Sequence, residues 1–309
     1  MTGRWLIAAA AMLALIADGA HATPPGVTVA SAGGADSAPV FIAAEEGFYA
    51  RHGLAAETVL MPLMPEIPPA MVAGSVQFGA INPTNLLAAV AGGIDLVAVA
   101  GGSVFAHSLS NIATLAGRQS GIRTPQDFVG KTVGVPGFGA LLHIAFRYWL
   151  GLKGVDFTKV KFVEVSMASE RDLLQKKTVD AVVAIDPVMT QIVDAKLAGS
   201  VFPIVPDMPE GVAVLLYASP RGWAERHRGA VAGFRAAIAD AVAFLAADPA
   251  KARADLGRHI RFPPQVLQTI RVGVQQPDLA ADKLGWWVGA MRRQGLISGP
   301  IDPAKLILQ

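Results

Sequence analysis

Two stretches in opposite halves of the chain end an apolar run on a polar side chain followed by proline. They are Ser75-Val76-Gln77-Phe78-Gly79-Ala80-Ile81-Asn82-Pro83-Thr84 and Thr178-Val179-Asp180-Ala181-Val182-Val183-Ala184-Ile185-Asp186-Pro187-Val188. The Asn82 amide can donate to a ligand oxygen, whereas an ionised Asp186 repels an anion and prefers a ligand N–H or hydroxyl. Both residues are also good helix caps, with Pro83 and Pro187 at the first helical position, and the two roles can coexist. Gly137-Phe138-Gly139 stands where a strand gives way to a helix, so its backbone N–H groups can meet an anion. His143, in the first turn of that helix, can hydrogen-bond an oxyanion, and Phe138 can stack on a planar ligand. Ser37, Thr84 and Ser103 add hydroxyl donors at loop positions. The candidate ligand-binding residues are therefore Ser37, Asn82, Thr84, Ser103, Phe138, Gly139, His143 and Asp186. A plain tight turn at Gly137–Gly139 and a packed helix histidine are the competing readings.

Other chemistries lack their residues. Gly130-Lys131-Thr132 resembles the tail of a phosphate-binding loop, but Pro125 stands where the earlier glycine is required and Lys131 opens a strand. The glycine pair at 137 and 139 is no dinucleotide fingerprint, because Leu142 takes the third position. There is no Gly-x-Ser-x-Gly elbow, no His-Glu-x-x-His pair and no histidine spaced for a metal, so neither cofactor nor metal is expected. The chain has no cysteine, which excludes disulfides, a lipid-modified cysteine anchor and thiol catalysis.

These residues need strands and helices to hold them. Val27–Ala32 reads as a first strand, followed by the small polar loop Gly33–Ser37 and a helix from about Ala38. Strands follow at 56–61, 76–81 and 95–100. After a break near Gly101-Gly102-Ser103 the pattern resumes with strands at 109–115, 131–135, 160–165 and 179–185, alternating with helices at 140–150, 169–176 and 188–197. Such alternation predicts parallel sheets. Val212–Ala218 reads as a central strand returning to the first lobe. Beyond it, helices at 221–245, 249–256, 264–270 and 278–294 are expected on that lobe's outer side, with Trp286 and Trp287 as outer-layer aromatics. Two similar strand-to-helix junctions suggest two similar lobes facing one cleft, since ligands bind at the carboxyl edge of such sheets.

Residues 1–22 have the layout of a cleavable export signal: Arg4, an apolar run from Trp5 to Ala17, and the small-x-small ending Ala20-His21-Ala22. The run is too short to span a bilayer, which takes roughly 20 residues. A net charge of +2 gives no argument for nucleic acid, and 52% hydrophobic against 16% charged residues gives enough core for one large or two medium α/β lobes.

Taken in order, several signatures resemble one family. They are Ala38-Pro39-Val40, Glu46-Gly47-Phe48-Tyr49, His52-Gly53-Leu54, Ala73-Gly74-Ser75-Val76, Asp127 through Val135, Val179-Asp180-Ala181 and Asp186-Pro187. The chain resembles the periplasmic substrate-binding proteins of ABC importers for nitrate, sulfonates, taurine and thiamine-precursor pyrimidines. That resemblance implies an α/β, periplasmic-binding-protein-like fold, two lobes joined by two crossover strands with the ligand between them. The expected lobes are 23–103 plus 215–309, and 104–214. It implies a monomer in the periplasm, without lipid anchor, that delivers a small polar organic ligand (sulfonate-, carboxylate- or pyrimidine-like) to an inner-membrane ABC permease with its ATPase. Two alternatives stay open: an enzyme on the same fold, a lyase or hydrolase using His143 and Asp186 in contact, and a ligand-sensing receptor domain.

Overall fold

A computed structural model of the protein describes residues 26–61, 63–260 and 263–309. The expected export signal at residues 1–22 lies outside the described residues.

Among the described residues, ten strands form two five-stranded sheets of matching topology. In chain order the strands are β1 (Gly26–Ser31), β2 (Ala55–Leu60), β3 (Phe78–Ile81), β4 (Leu96–Gly101), β5 (Ile112–Gly117), β6 (Thr132–Val135), β7 (Lys161–Glu164), β8 (Ala181–Ile185), β9 (Ala198–Pro203) and β10 (Leu216–Pro220). The first sheet is ordered β2-β1-β3-β10-β4 and the second β7-β6-β8-β5-β9. In each, four strands run in one direction and the fifth, β10 in the first sheet and β5 in the second, runs antiparallel to both its neighbours.

The antiparallel strands correct the all-parallel expectation, and the register explains them. β5 enters its sheet directly after the chain leaves β4, and β10 enters the first sheet directly after β9. Each starts at the carboxyl end of an antiparallel neighbour, with Ile112 opposite Ile185 of β8 and Leu216 opposite Ile81 of β3. A strand arriving from the other lobe begins at the edge facing that lobe, so it must run backwards. β9 is unmarked in the sequence pattern. Gly199, Ser200 and Pro203 dilute its apolar residues, as an edge strand allows.

β4 and β8 are buried along nearly all their length because helices cover both faces of their sheets, which is why they read as unbroken apolar runs. One face of the first sheet packs Phe78 and Tyr217 on Phe41 and Phe234, the Phe78 and Phe234 rings stacking at 4.1 Å. The expected helix 221–245 is two helices, Arg221–Arg226 and Arg228–Ala247, broken at His227.

The last helix, Ala281–Arg293, corrects another expectation: it is wedged between the lobes. It contacts helix Pro83–Ala91 of the first half and helix Leu141–Leu152 of the second. Trp286 meets Tyr148 edge-on at 4.9 Å, and just beyond the helix Gln294 Nε2 donates to the Ile144 carbonyl at 2.9 Å. Trp287 is fully buried and donates Nε1–H to the Ala213 carbonyl at 2.7 Å. Neither indole is an outer-layer aromatic.

Candidate ligand-binding site

The carboxyl edges of the two sheets carry the candidate residues, and most of these already have partners within the chain. Beyond β1, the Ser37 hydroxyl accepts from Ser31 Oγ and donates to the Gly34 carbonyl, both at 2.7 Å. Buried there, it holds its own loop. Ser103 is also buried, and its hydroxyl donates to Asp36 Oδ2 at 2.8 Å. Asn82 follows β3 and leads into helix Pro83–Ala91, which starts with proline at its first position as expected. Its side chain does not cap that helix: Nδ2 donates to the Val214 carbonyl at 2.7 Å, tying β3 to the crossover that precedes β10. Thr84, one residue into the helix, is buried with no partner for its hydroxyl. Thr84→Val should therefore raise thermal stability slightly, because an unsatisfied buried hydroxyl costs about 1–3 kcal/mol. Were Val to destabilise the protein by thermal melt, the hydroxyl would have a partner.

On the second sheet, Gly137 and Gly139 take left-handed φ values of 130° and 70°, which a tight turn after β6 requires. The Gly139 N–H donates to His143 Nδ1 at 3.0 Å. That fixes Nδ1 as the acceptor and leaves the proton on Nε2, which is buried without a partner. Burial, with a smaller contribution from the Arg147 charge, holds the imidazole down to about 4, so it is neutral at physiological pH. Phe138 is exposed, its ring edge-on to His143 at 5.7 Å, and its N–H donates to Glu164 Oε2 at 3.2 Å. An acid of the chain itself thus stands where an anion was expected.

Asp186 departs from its expected place. The helix begins at Val188 with Pro187 as its cap residue, one position later than the pattern predicts. Asp186 Oδ1 accepts from Thr190 Oγ1 at 2.7 Å and Thr190 N at 3.2 Å, while Oδ2 accepts from Arg271 Nε at 2.7 Å and Nη2 at 2.5 Å. The guanidinium balances the carboxylate, so Asp186 alone no longer argues against an anionic ligand. The acid–base pair of the enzyme alternative is not assembled: His143 bonds Gly139 and Asp186 bonds Thr190 and Arg271.

Arg271 belongs to a strap, residues 270–278, laid over the first sheet's edge. The Gly273 N–H donates to Asp36 Oδ1 at 2.9 Å, Val274 accepts from Val104 N at 2.9 Å, and the Gln276 N–H donates to the Gly102 carbonyl at 2.7 Å. From that anchorage Arg271 reaches Asp186 on the second sheet. A cavity of about 120 Å³ opens beside the pair, lined by Thr190, Gln191, Val266 and Thr269 among others. The strap lies so close to β4 that a Cβ on Gly101 would sit 2.2 Å from the Gln276 carbonyl oxygen. Gly101→Ala should lift the strap and destabilise the protein by about 2 kcal/mol, as overpacking against backbone does. An unchanged melting temperature would show that the strap is not held there.

Asp36 and Arg271 escaped the sequence reading. Asp36 had a signal, an acid in the small polar loop after the first strand. Arg271 had none, because its partner lies 85 residues away.

Comparison with known proteins agrees with the two-sheet α/β fold. The family described as NMT1/THI5 like matches residues 34–252. Proteins named as binding proteins in Brucella abortus (strain 2308) and Brucella suis biovar 1 (strain 1330) are 30% identical over 140 residues, which is 45% of this chain and 41% of each relative. The match thus spans about two fifths of the length of those relatives. In structure the chain is similar to the periplasmic aliphatic sulphonate binding protein SsuA from Escherichia coli, with a TM-score of 0.75 and 21% identity over 92% of this chain and 97% of that one. It is similar too to the periplasmic nitrate-binding protein NrtA from Synechocystis PCC 6803, with a TM-score of 0.75 and 14% identity over 91% of this chain and 84% of that one. The fold is therefore α/β of the periplasmic-binding-protein type. With its signatures in order and a family match over more than two thirds of its length, the chain belongs to the NMT1/THI5-like family.

Proposed function

We propose that the protein is an exported, monomeric substrate-binding receptor that captures a small polar organic molecule in the periplasm and delivers it to an ABC permease with its ATPase. Its lobes are taken as residues 23–103 plus 215–309, and 104–214. The observation that carries the reading is the Asp186–Arg271 pair, in which a strap hydrogen-bonded to the first lobe reaches an acid at the carboxyl edge of the second. A site supplied by both lobes couples ligand capture to lobe closure, the property a carrier needs. The family and the likeness to periplasmic binding proteins support the same reading.

The buried and unpartnered Thr84 hydroxyl and His143 Nε2–H are the candidates for ligand contact that remain free of intramolecular partners. Calorimetry and small-angle scattering against sulfonates, carboxylates, pyrimidines and aromatic acids should give saturable binding with compaction. Absence of saturable binding across the panel would remove the reading.

A further inference from the structure

The second sheet has another cavity, of about 270 Å³, at the edge opposite the candidate site. Gly117 ends β5, Val179 and Asp180 lead into β8, and Ala116 stands opposite Ala181, so the cavity opens at the amino edge of the parallel strands. Its floor is apolar, with Leu174 and Val179 buried and Leu197 half-buried. Arg118, Gln119 and Lys177 form an exposed rim. Arg118 Nη1 donates to the Lys196 carbonyl at 3.2 Å, and Lys131 Nζ donates to the carbonyl of Ser120. The acid in the lining, Asp180, accepts from the Thr132 N–H through Oδ2 at 2.8 Å. None of the ion pairs among the described residues includes Arg118, Lys131, Lys177 or Lys196.

Two of these lysines hold a backbone that lysine does not favour. Lys177 (φ 59°) and Lys196 (φ 55°) are the only residues other than glycine with positive φ among the described residues. Each stands just beyond a helix, after Met167–Gln175 and Val188–Asp194, and its N–H donates to a carbonyl of the last turn, Leu174 at 3.2 Å and Val193 at 2.9 Å. Glycine fills that left-handed position at other helix ends, as Gly154 and Gly295 do after Leu141–Leu152 and Ala281–Arg293. A cation at a helix carboxyl terminus offsets the helix dipole, but this requires no strain. The two glycine-ended helices carry their cations at Lys153, and at Arg292 and Arg293, and keep glycine where the backbone turns left-handed. Strain held at two positions around one cavity marks a demand for the lysine side chain itself.

We propose that this cavity is a second binding site, separate from the ligand cleft, for a small organic anion that carries clustered negative charge and an apolar part. Arg118 and Lys177 contact the anionic oxygens, Lys196 adds charge beside them, and Leu174, Val179 and Leu197 take the carbon body. The planar guanidinium fork matches two oxygens of one phosphate or carboxylate, and the volume is that of a small-molecule site rather than a macromolecular groove. The proposal stands on this edge alone, whatever the cleft binds.

Phenyl phosphate, pyrophosphate and benzene-1,3,5-tricarboxylate are titrated by calorimetry into the native protein at low and at high salt, with benzyl alcohol as the uncharged control. At least one anion should saturate a site that benzyl alcohol does not fill, and its affinity should fall as salt rises. Lys177→Gly and Lys196→Gly should each weaken that binding by about threefold, and the double variant by about tenfold. Each glycine variant should also melt about 2 °C higher than the native chain, because the left-handed strain is gone. Affinity lost while stability rises is a result that a purely structural lysine does not give. If the glycine variants bind the anions as tightly as the native chain, the anions sit elsewhere and the proposal falls. It falls too if the variants melt lower with unchanged affinity, or if no anion saturates. Co-sedimentation with phosphatidylglycerol vesicles that persists where every free anion fails would replace the small molecule with a membrane surface and overturn it.

Discussion

Glu170→Gln should unfold at a higher denaturant concentration than the native protein at pH 7, and the two should converge near pH 4. Glu170 stands in the first turn of helix Met167–Gln175, fully buried, with no hydrogen-bond partner for either carboxyl oxygen. Burial pushes its carboxyl up to about 9 from the usual 4.5. Below pH 4.5 both the folded and the unfolded chain hold the proton, so folding bears no ionisation penalty. As pH rises from 4.5 towards 9 the unfolded chain releases its proton and the folded chain retains it, so stability falls by about 1.4 kcal/mol per pH unit. At pH 7 the penalty is about 3 kcal/mol, a large fraction of the ~5–15 kcal/mol that holds a protein folded. Glutamine has nearly the same shape and nothing to ionise, so its profile should lack this fall, and the difference between the two proteins should widen by that slope through this window. Parallel profiles for the two proteins would mean that Glu170 has a partner or sheds its proton inside the fold.

Arg271→Ala should have the largest effect on the site itself. It leaves Asp186, whose side chain is only 3% exposed, with Thr190 as its remaining partner. Removing one member of a buried ion pair costs about 3–5 kcal/mol, and the 41% exposure of the Arg271 side chain places this pair at or below the low end of that range. Replacing both partners, as Asp186→Asn with Arg271→Gln, should recover much of the stability because no lone charge remains. Small-angle scattering should show a wider average separation of the lobes in Arg271→Ala than in the native protein. If Arg271→Ala melts like the native chain and scatters identically, the pair does not join the lobes.

Of the fold, the alternating units were legible because each is a local pattern. The apolar runs of β4 and β8 report burial on both faces, and Pro83 marks a helix start by its own fixed geometry. The direction of β5 and β10 was not legible, since it depends on which edge the chain reaches after crossing between sheets. Trp286 and Trp287 illustrate the same limit. Their helical spacing announced a packed face but not that the face lies between two lobes.

Of the site, the sequence placed polar residues at the carboxyl edges but not their partners. Ser37, Asn82 and Ser103 read as free donors, yet their protons go to Gly34, Val214 and Asp36. Hydrogen-bonding capacity is a property of the side chain, whereas availability depends on what else the fold brings within 3 Å.

The sequence by itself determined two α/β units with matched strand-to-helix junctions, the absence of thiol chemistry, and the polar residues that follow the strands at the carboxyl edges. Only the tertiary structure decided the charge at that edge. The Arg271–Asp186 and Gly273–Asp36 contacts join residues 85 and 237 positions apart. No periodicity or motif spans such distances, because they are set by where one strap lies down across the lobes.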